Sequence, residues 1–233
     1  MANSTSASLK LTVQTTGENS GTWGQITNTN LIILEQAIGG YGAFGVTNAS
    51  RALTFTNGAV SNGKDQVIKL SGTLSANVNV TMPDSVEKTY IVEDACDHAS
   101  YTLTFKTTSG TGVALCEGHT YTLWSDGTNV YKASELKKWR AVTAAETVQA
   151  GAQLAVNTNG GGVTITLPAS PSIGDEVSFI DQGYDFNSNA LVVGRNSSNI
   201  ANAGSDLTVN TQGAAFTLVF SGDATTGWTY TEK

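Results

Sequence analysis

Charge is scarce in this chain. Only 12 Lys and Arg and 19 Asp and Glu occur among 233 residues, 13% of the total, against roughly a quarter in an ordinary globular protein. The balance is -7, with a sequence pI near 4.7. A nucleic-acid binder needs a basic surface to displace counterions from phosphates, and an anionic membrane draws basic segments, so the deficit excludes both partners. The one local basic group, Lys137, Lys138 and Arg140 around Trp139, reads as a solvated linker. Long apolar runs are missing too. No stretch approaches the roughly 20 residues of a membrane helix, so no membrane insertion is expected. The leading M-A-N-S-T-S-A-S has neither a basic region nor an apolar core, which excludes a secretory signal and points to assembly in a cytosol. Two cysteines are too few for a stapled extracellular domain. No phosphate-cradling G-x-x-x-x-G-K, dinucleotide fingerprint or Ser-His-Asp setting occurs, so no enzyme is expected.

Thr, Ser, Asn and 25 Gly fill the space that charge leaves. Thr suits a pleated surface, while Gly and Asn suit tight turns, so the composition reads as all-β. The main feature is a repeat. V-N-V-T-M-P (Val78–Pro83) returns as V-T-I-T-L-P (Val163–Pro168), K-T-Y-I-V-E-D (Lys88–Asp94) as D-E-V-S-F-I-D (Asp175–Asp181), and T-L-T-F-K (Thr102–Lys106) as A-L-V-V-G (Ala190–Gly194). T-Y-T-L-W (Thr120–Trp124) answers A-F-T-L-V (Ala215–Val219), and each copy closes on a polar turn and a short aromatic strand, Ser125–Tyr131 and Ser221–Tyr230. Five period-2 runs in the same order, twice, predict one small β-module used in tandem. The expected fold is two tandem antiparallel β-sandwich or prism-like domains, 41–135 and 136–233, after an arm and short helix in 1–40. Ser134–Arg140 is expected to be a helical or turn linker, and N-G-G-G (Asn159–Gly162) a hairpin turn.

Within the first 40 residues, Ser8–Thr16 alternates well enough for one strand, and Gly17–Gly24 is a Gly-punctuated loop. Thr27–Gly40 then predicts a helix, capped by Asn28 or Asn30 and stopped by Gly39-Gly40. Leu31, Leu34 and Ile38 share one face, and Ile32 and Ile33 carry the apolar surface further round. One neighbour cannot cover that much apolar surface, so the helix is expected to pack against another chain or a bundle.

The module pattern, with Y-T-L-T-F-K-T-T-S-G-T-G-V and T-L-W-S-D-G-T-N-V-Y in its first copy, resembles the repeated β-domain of bacteriophage tail fibres and related virion appendages. The leading T-G-E-N-S-G-T-W-G-Q-I-T-N-T-N-L-x-x-L-E-Q-A-I (Thr16–Ile38) is similar to the N-terminal segment of tail-fibre-like structural proteins of marine phages, cyanophages especially. The second module departs from the pattern at Asn196–Asn210, and the chain has no long shaft. The resemblance implies a virion location in the tail, partnership with other tail proteins, a homotrimer, and an N-terminus that docks while the β-domains project. A glycan-binding tip that recognises host surface polysaccharide and a capsid decoration protein are the alternatives.

Candidate site residues follow from the residue types. Trp23, a large aromatic between polar residues and glycines, is the expected docking anchor, with Leu31, Leu34 and Ile38 as the oligomer face. Tyr184 and Phe186, in a loop, are candidates for a glycan or partner contact, whereas Trp124, Tyr131, Trp228 and Tyr230 fall in the strand pattern and read as packing. Cys96, His98, Cys116 and His119 could make a tetrahedral zinc site if two turns met, but the second module has no counterpart; they read as ordinary turn residues, and no metal or cofactor is expected. The acidic pairs Glu93/Asp94/Asp97 and Asp181/Asp185 could be imagined beside a sugar cleft or, for Asp181–Asn189, around calcium; solvated turns account for them better.

Overall fold

The structure, a computed structural model, describes residues 2–231. The chain divides into two compact units: one runs to Leu115 and again from His119 to Leu136, the other comprises Cys116–Gly118 and the chain from Lys137 onward.

In the first unit, β1 (Ser4–Thr5) and β2 (Thr12–Val13) pair as a small antiparallel ladder ahead of α1 (Trp23–Gly39). Then come β3 (Tyr41–Gly45), β4 (Arg51–Ala52), β5 (Val67–Thr73), β6 (Val78–Met82), β7 (Glu87–Asp97) and β8 (Leu103–Thr107). β3, β5 and β7 run parallel in one sheet, and β4, β6 and β8 run parallel in another. The chain therefore winds between two sheets as a short solenoid, each coil contributing one strand to each sheet. β9 (Gly112–Leu115), β10 (Thr120–Asp126) and β11 (Val130–Leu136) close it with antiparallel pairs.

The second unit repeats the design. β12 (Trp139–Val142), β14 (Gln153–Val156) and β16 (Glu176–Asp181) are parallel, as are β13 (Glu146–Thr147), β15 (Val163–Thr166) and β17 (Leu191–Gly194). β18 (Leu207–Val209), β19 (Ala215–Phe220) and β20 (Trp228–Tyr230) add the antiparallel end. The runs that recur in the sequence take equivalent places: β6 with β15, β7 with β16, β8 with β17, β10 with β19, β11 with β20.

The all-β class stands, but the antiparallel sandwich is corrected. A parallel pair needs a long crossover, usually a helix; here a strand of the opposite sheet takes the helix's place. N-G-G-G consequently turns a corner between sheets, from β14 to β15, and is not a hairpin. The expected linker is the end of β11 and the start of β12, not a helix. Period-2 alternation does the sorting. Along β7, Tyr90, Val92, Asp94 and Cys96 point inward, and Ile91 and Glu93 point outward. Phe105, Val80, Leu70 and Leu123 fill the same core, and Leu154, Ile165, Phe179, Leu218 and Trp228 fill that of the second unit.

The helix begins at Trp23, five residues before the expected cap at Asn28. Thr22 precedes it without a side-chain cap bond. Asn30 is no cap either. Its Oδ1 accepts the Thr12 N–H at 2.9 Å and its Nδ2 donates to the Thr12 carbonyl at 2.8 Å, as a neighbouring strand would. At the other end, Gly40 is required, since a Cβ there would run into the Gln36 carbonyl. The Lys88 ammonium donates to the Ala37 carbonyl at 3.3 Å, a cation placed at a helix C-terminus where the dipole favours it. The arm is likewise tied down, since Lys10 O accepts from Gly58 N–H and Ser8 Oγ from Glu87 N–H.

Two hydrogen bonds worth about 1 kcal/mol each join Asn30 to β2. Asn30→Ala is therefore expected to speed amide exchange at Thr12 by roughly tenfold while core amides such as those of Leu70 and Val92 keep their protection, measurable by hydrogen exchange.

Candidate functional site

The helix offers two apolar faces. Successive residues turn by about 100°, which puts Ile33 and Ala37 on one side, where both are buried against their own unit. Leu31, Leu34 and Ile38 lie roughly a third of a turn away and are 58%, 36% and 78% exposed. Trp23 is not a loop residue but the first residue of the helix; it is 65% exposed and lies on the same side. The expected docking residues thus form one seam, Leu31, Leu34 and Ile38 at spacings of three and four and Trp23 about two turns earlier. Glu35 is the single charged side chain among the 17 helical residues, so the seam carries almost no electrostatic signature.

Of the two loop aromatics, Tyr184 is 67% exposed and Phe186 is fully buried in the core of the second unit. Phe186 is corrected from a contact residue to a core residue. The loop is held by Asp181, whose carboxylate accepts the N–H groups of Asp185, Phe186 and Gly213 at 3.2, 3.3 and 2.9 Å. Tyr184 itself sits at φ 54°, a left-handed conformation costly for an aromatic residue. Trp124 and Tyr131 stack at 4.7 Å on the outer face of their sheet, while Trp228 is fully buried.

The histidines, cysteines and carboxylates do not converge. Cys96 and Cys116 form no disulfide; both are buried, Cys96 within β7 in the core of the first unit and Cys116 in the turn between β9 and β10, in the core of the second, so only Cys96 is corrected from a turn residue to a strand residue. Each histidine instead takes a carboxylate. His98 Nε2 lies 2.8 Å from Asp94 Oδ2 and His119 Nδ1 2.7 Å from Glu135 Oε1, both histidines buried. Among the described residues, no group of three or more His, Cys, Asp or Glu side chains is placed to hold a metal ion. Glu93 points outward to Lys69 at 2.9 Å while Asp94 points inward, so the acidic run makes no facing pair. The basic cluster is dispersed likewise: Lys137 pairs with Glu176 at 2.8 Å, and Arg140 pairs with Glu146 and Glu117.

The two histidine–carboxylate pairs were not legible as pairs. His98 lies past the end of β7 and folds back on Asp94, and Glu135 reaches His119 only because β10 and β11 are neighbours. Burial pushes the Glu135 carboxyl up, but hydrogen bonds from His119, Lys132 and Tyr121 outweigh it and hold the group down at about 2.

No family model and no curated protein matches the chain. Among solved structures it is similar to a chain described as "Structure of a chaperone-substrate complex", at 15% identity and a TM-score of 0.36. The match covers 79% of this chain and 32% of that one, so this chain spans about a third of its length.

The Glu135 carboxyl sets a pH prediction. Its folded value lies below the ordinary 4.5, so between these limits the unfolded chain binds more protons and stability rises with pH. Lowering the pH from about 4.5 toward about 2 is expected to erode stability, and Glu135→Gln is expected to flatten that part of the profile in urea melts taken at each pH.

Proposed function

We propose that this chain is a non-enzymatic structural subunit of a phage virion, a tail fibre or fibre-like tail appendage. It docks through the helix and projects its two-sheeted units outward. The observation that carries the reading is the exposed seam of Trp23, Leu31, Leu34 and Ile38 on a helix whose other face is already buried. A chain that leaves this much apolar surface on one element has a partner for it. The sequence similarity of Thr16–Ile38 to the N-terminal segments of tail-fibre-like proteins supplies the class of assembly. The N-terminal strands are folded onto the first unit and brace the helix, which makes the helix, and not a loose arm, the docking element. In this reading the subunit is a homotrimer located in the tail, with neighbouring tail proteins as its further partners.

Burying a Leu or Ile side chain contributes about 1.5–3 kcal/mol, so charge at two seam positions is decisive. The full chain is expected to be a trimer by light scattering, and Leu31→Glu with Ile38→Glu is expected to be a monomer with an unchanged circular dichroism spectrum. Trp23→Ala is expected to fold and fail to enter particles. A wild-type chain that stays monomeric at high concentration, or a Trp23→Ala chain incorporated normally, overturns the reading.

A further inference from the structure

The outer face of the sheet β12-β14-β16-β19-β20 carries two kinds of row. Because side chains alternate across a strand, the register that sends Leu154, Phe179 and Leu218 into the core sends their neighbours out. One outward row reads Trp139, Gln153, Ser178 and Thr217, directly paired across four strands, with Thr231 alongside through its N–H to the Thr217 carbonyl. The next reads Ala141, Ala155, Ile180 and Ala215. The first row is an aromatic followed by an amide and three hydroxyls; the second is short and apolar.

Where these rows meet lies a cavity of about 280 Å³, lined by Trp139, Ile180, Ala215, Thr217 and Thr231 together with Phe179 and Phe216. Trp139 is 43% exposed, so much of its indole is open to solvent. Ser178 Oγ and Thr217 Oγ1 lie 2.9 Å apart and share one hydrogen bond, which leaves the second hydroxyl hydrogen of the pair available to another acceptor. Among the described residues, no charged side chain lines the cavity. That composition selects against phosphates, carboxylates and ammonium groups, each of which would have to shed water with no opposite charge to meet it. It suits a neutral molecule with one apolar face and several hydroxyls at its rim. The volume falls just under the 300–1,000 Å³ of drug-sized pockets, which limits the occupant to about one ring.

We propose that this trough is a saccharide site that takes a single neutral pyranose unit, its C–H face on the Trp139 indole and its hydroxyls on Thr217 and Thr231. The site is built wholly from residues of the second unit, makes no use of Tyr184, and does not depend on the assembly reading. One open aromatic and two hydroxyls in an open trough point to weak binding, with Kd on the order of 1 mM.

The test is an NMR titration of the full chain with the methyl glycosides of glucose, galactose and mannose, with N-acetylglucosamine, and with the linear polyol sorbitol. At least one pyranoside is expected to shift the Trp139 indole N–H resonance saturably, and sorbitol to leave it in place. Trp139→Ala is expected to weaken binding at least tenfold, followed through the Thr217 and Thr231 amides, with its circular dichroism unchanged because the side chain is partly exposed. Thr217→Val, close to isosteric, is expected to weaken binding severalfold. A disaccharide of the preferred sugar is expected to bind within a few-fold of its methyl glycoside, as one ring requires. Absence of saturable shifts from every pyranoside, an equal response to sorbitol, full binding by Trp139→Ala, or a disaccharide that binds more than tenfold tighter overturns the proposal. A monomeric chain that still binds sugar removes the assembly reading alone; a trimer that binds none removes the saccharide site alone.

Discussion

The two solenoid units depend on one constraint: every coil must hold its in–out alternation in the same register as the coil beside it. A slip of one residue would move a strand's whole apolar set to solvent. Tyr41 pairs with Val67 and Val67 with Ile91 on the outside, and the next position carries Ile68 and Val92 inward, so one register fixes three strands. With no helix available as a crossover, the corners between sheets must satisfy the backbone themselves. Bonds such as Leu53 N–H to Thr81 O and Leu167 N–H to Gly194 O carry the parallel ladder past the strand ends.

That constraint explains which parts of the fold were legible. Alternation is local, so Val78–Met82, Glu87–Asp97 and their second copies could be read directly as strands, and the order of five such runs exposed the tandem repeat. Pairing is not local. The runs β5, β6 and β7 look the same whether each pairs with the next or with the next but one, and only the structure shows that β5 skips β6 to reach β7. The helix start was hidden for a related reason. Trp23, Gly24 and Gln25 lie among glycines and polar residues, Thr22 makes no cap bond, and the Asn30 amide is committed to Thr12. Phe186 and Tyr184 are two residues apart in a loop with no periodicity to separate them; what separates them is the Asp181 carboxylate, which gathers three N–H groups and turns one ring in and the other out.

Scarcity of charge shapes the interior as well as the surface. Lys64 is fully buried; its ammonium donates to the Thr56 and Ala59 carbonyls at 2.7 and 2.5 Å, and burial lowers its pKa. The buried histidines take one carboxylate each, so the titratable groups inside the first unit are used to hold turns and strand ends together. The candidate functional surfaces lie on elements that carry little charge.

The helix shows the same logic at the level of the whole chain. Ile33 and Ala37 are enough to seat it, with Lys88 at its C-terminal carbonyls and Asn30 joined to β2. Leu31, Leu34 and Ile38 point about a third of a turn away and keep much of their surface open. Exposed single apolar residues are ordinary, but residues repeated at three and four along one helix line are arranged for another helix-sized surface. Almost no charge flanks the line, so recognition there must rest on shape and apolar fit. A seam of that kind can be met by its own copy as well as by another surface, which is the completion proposed above.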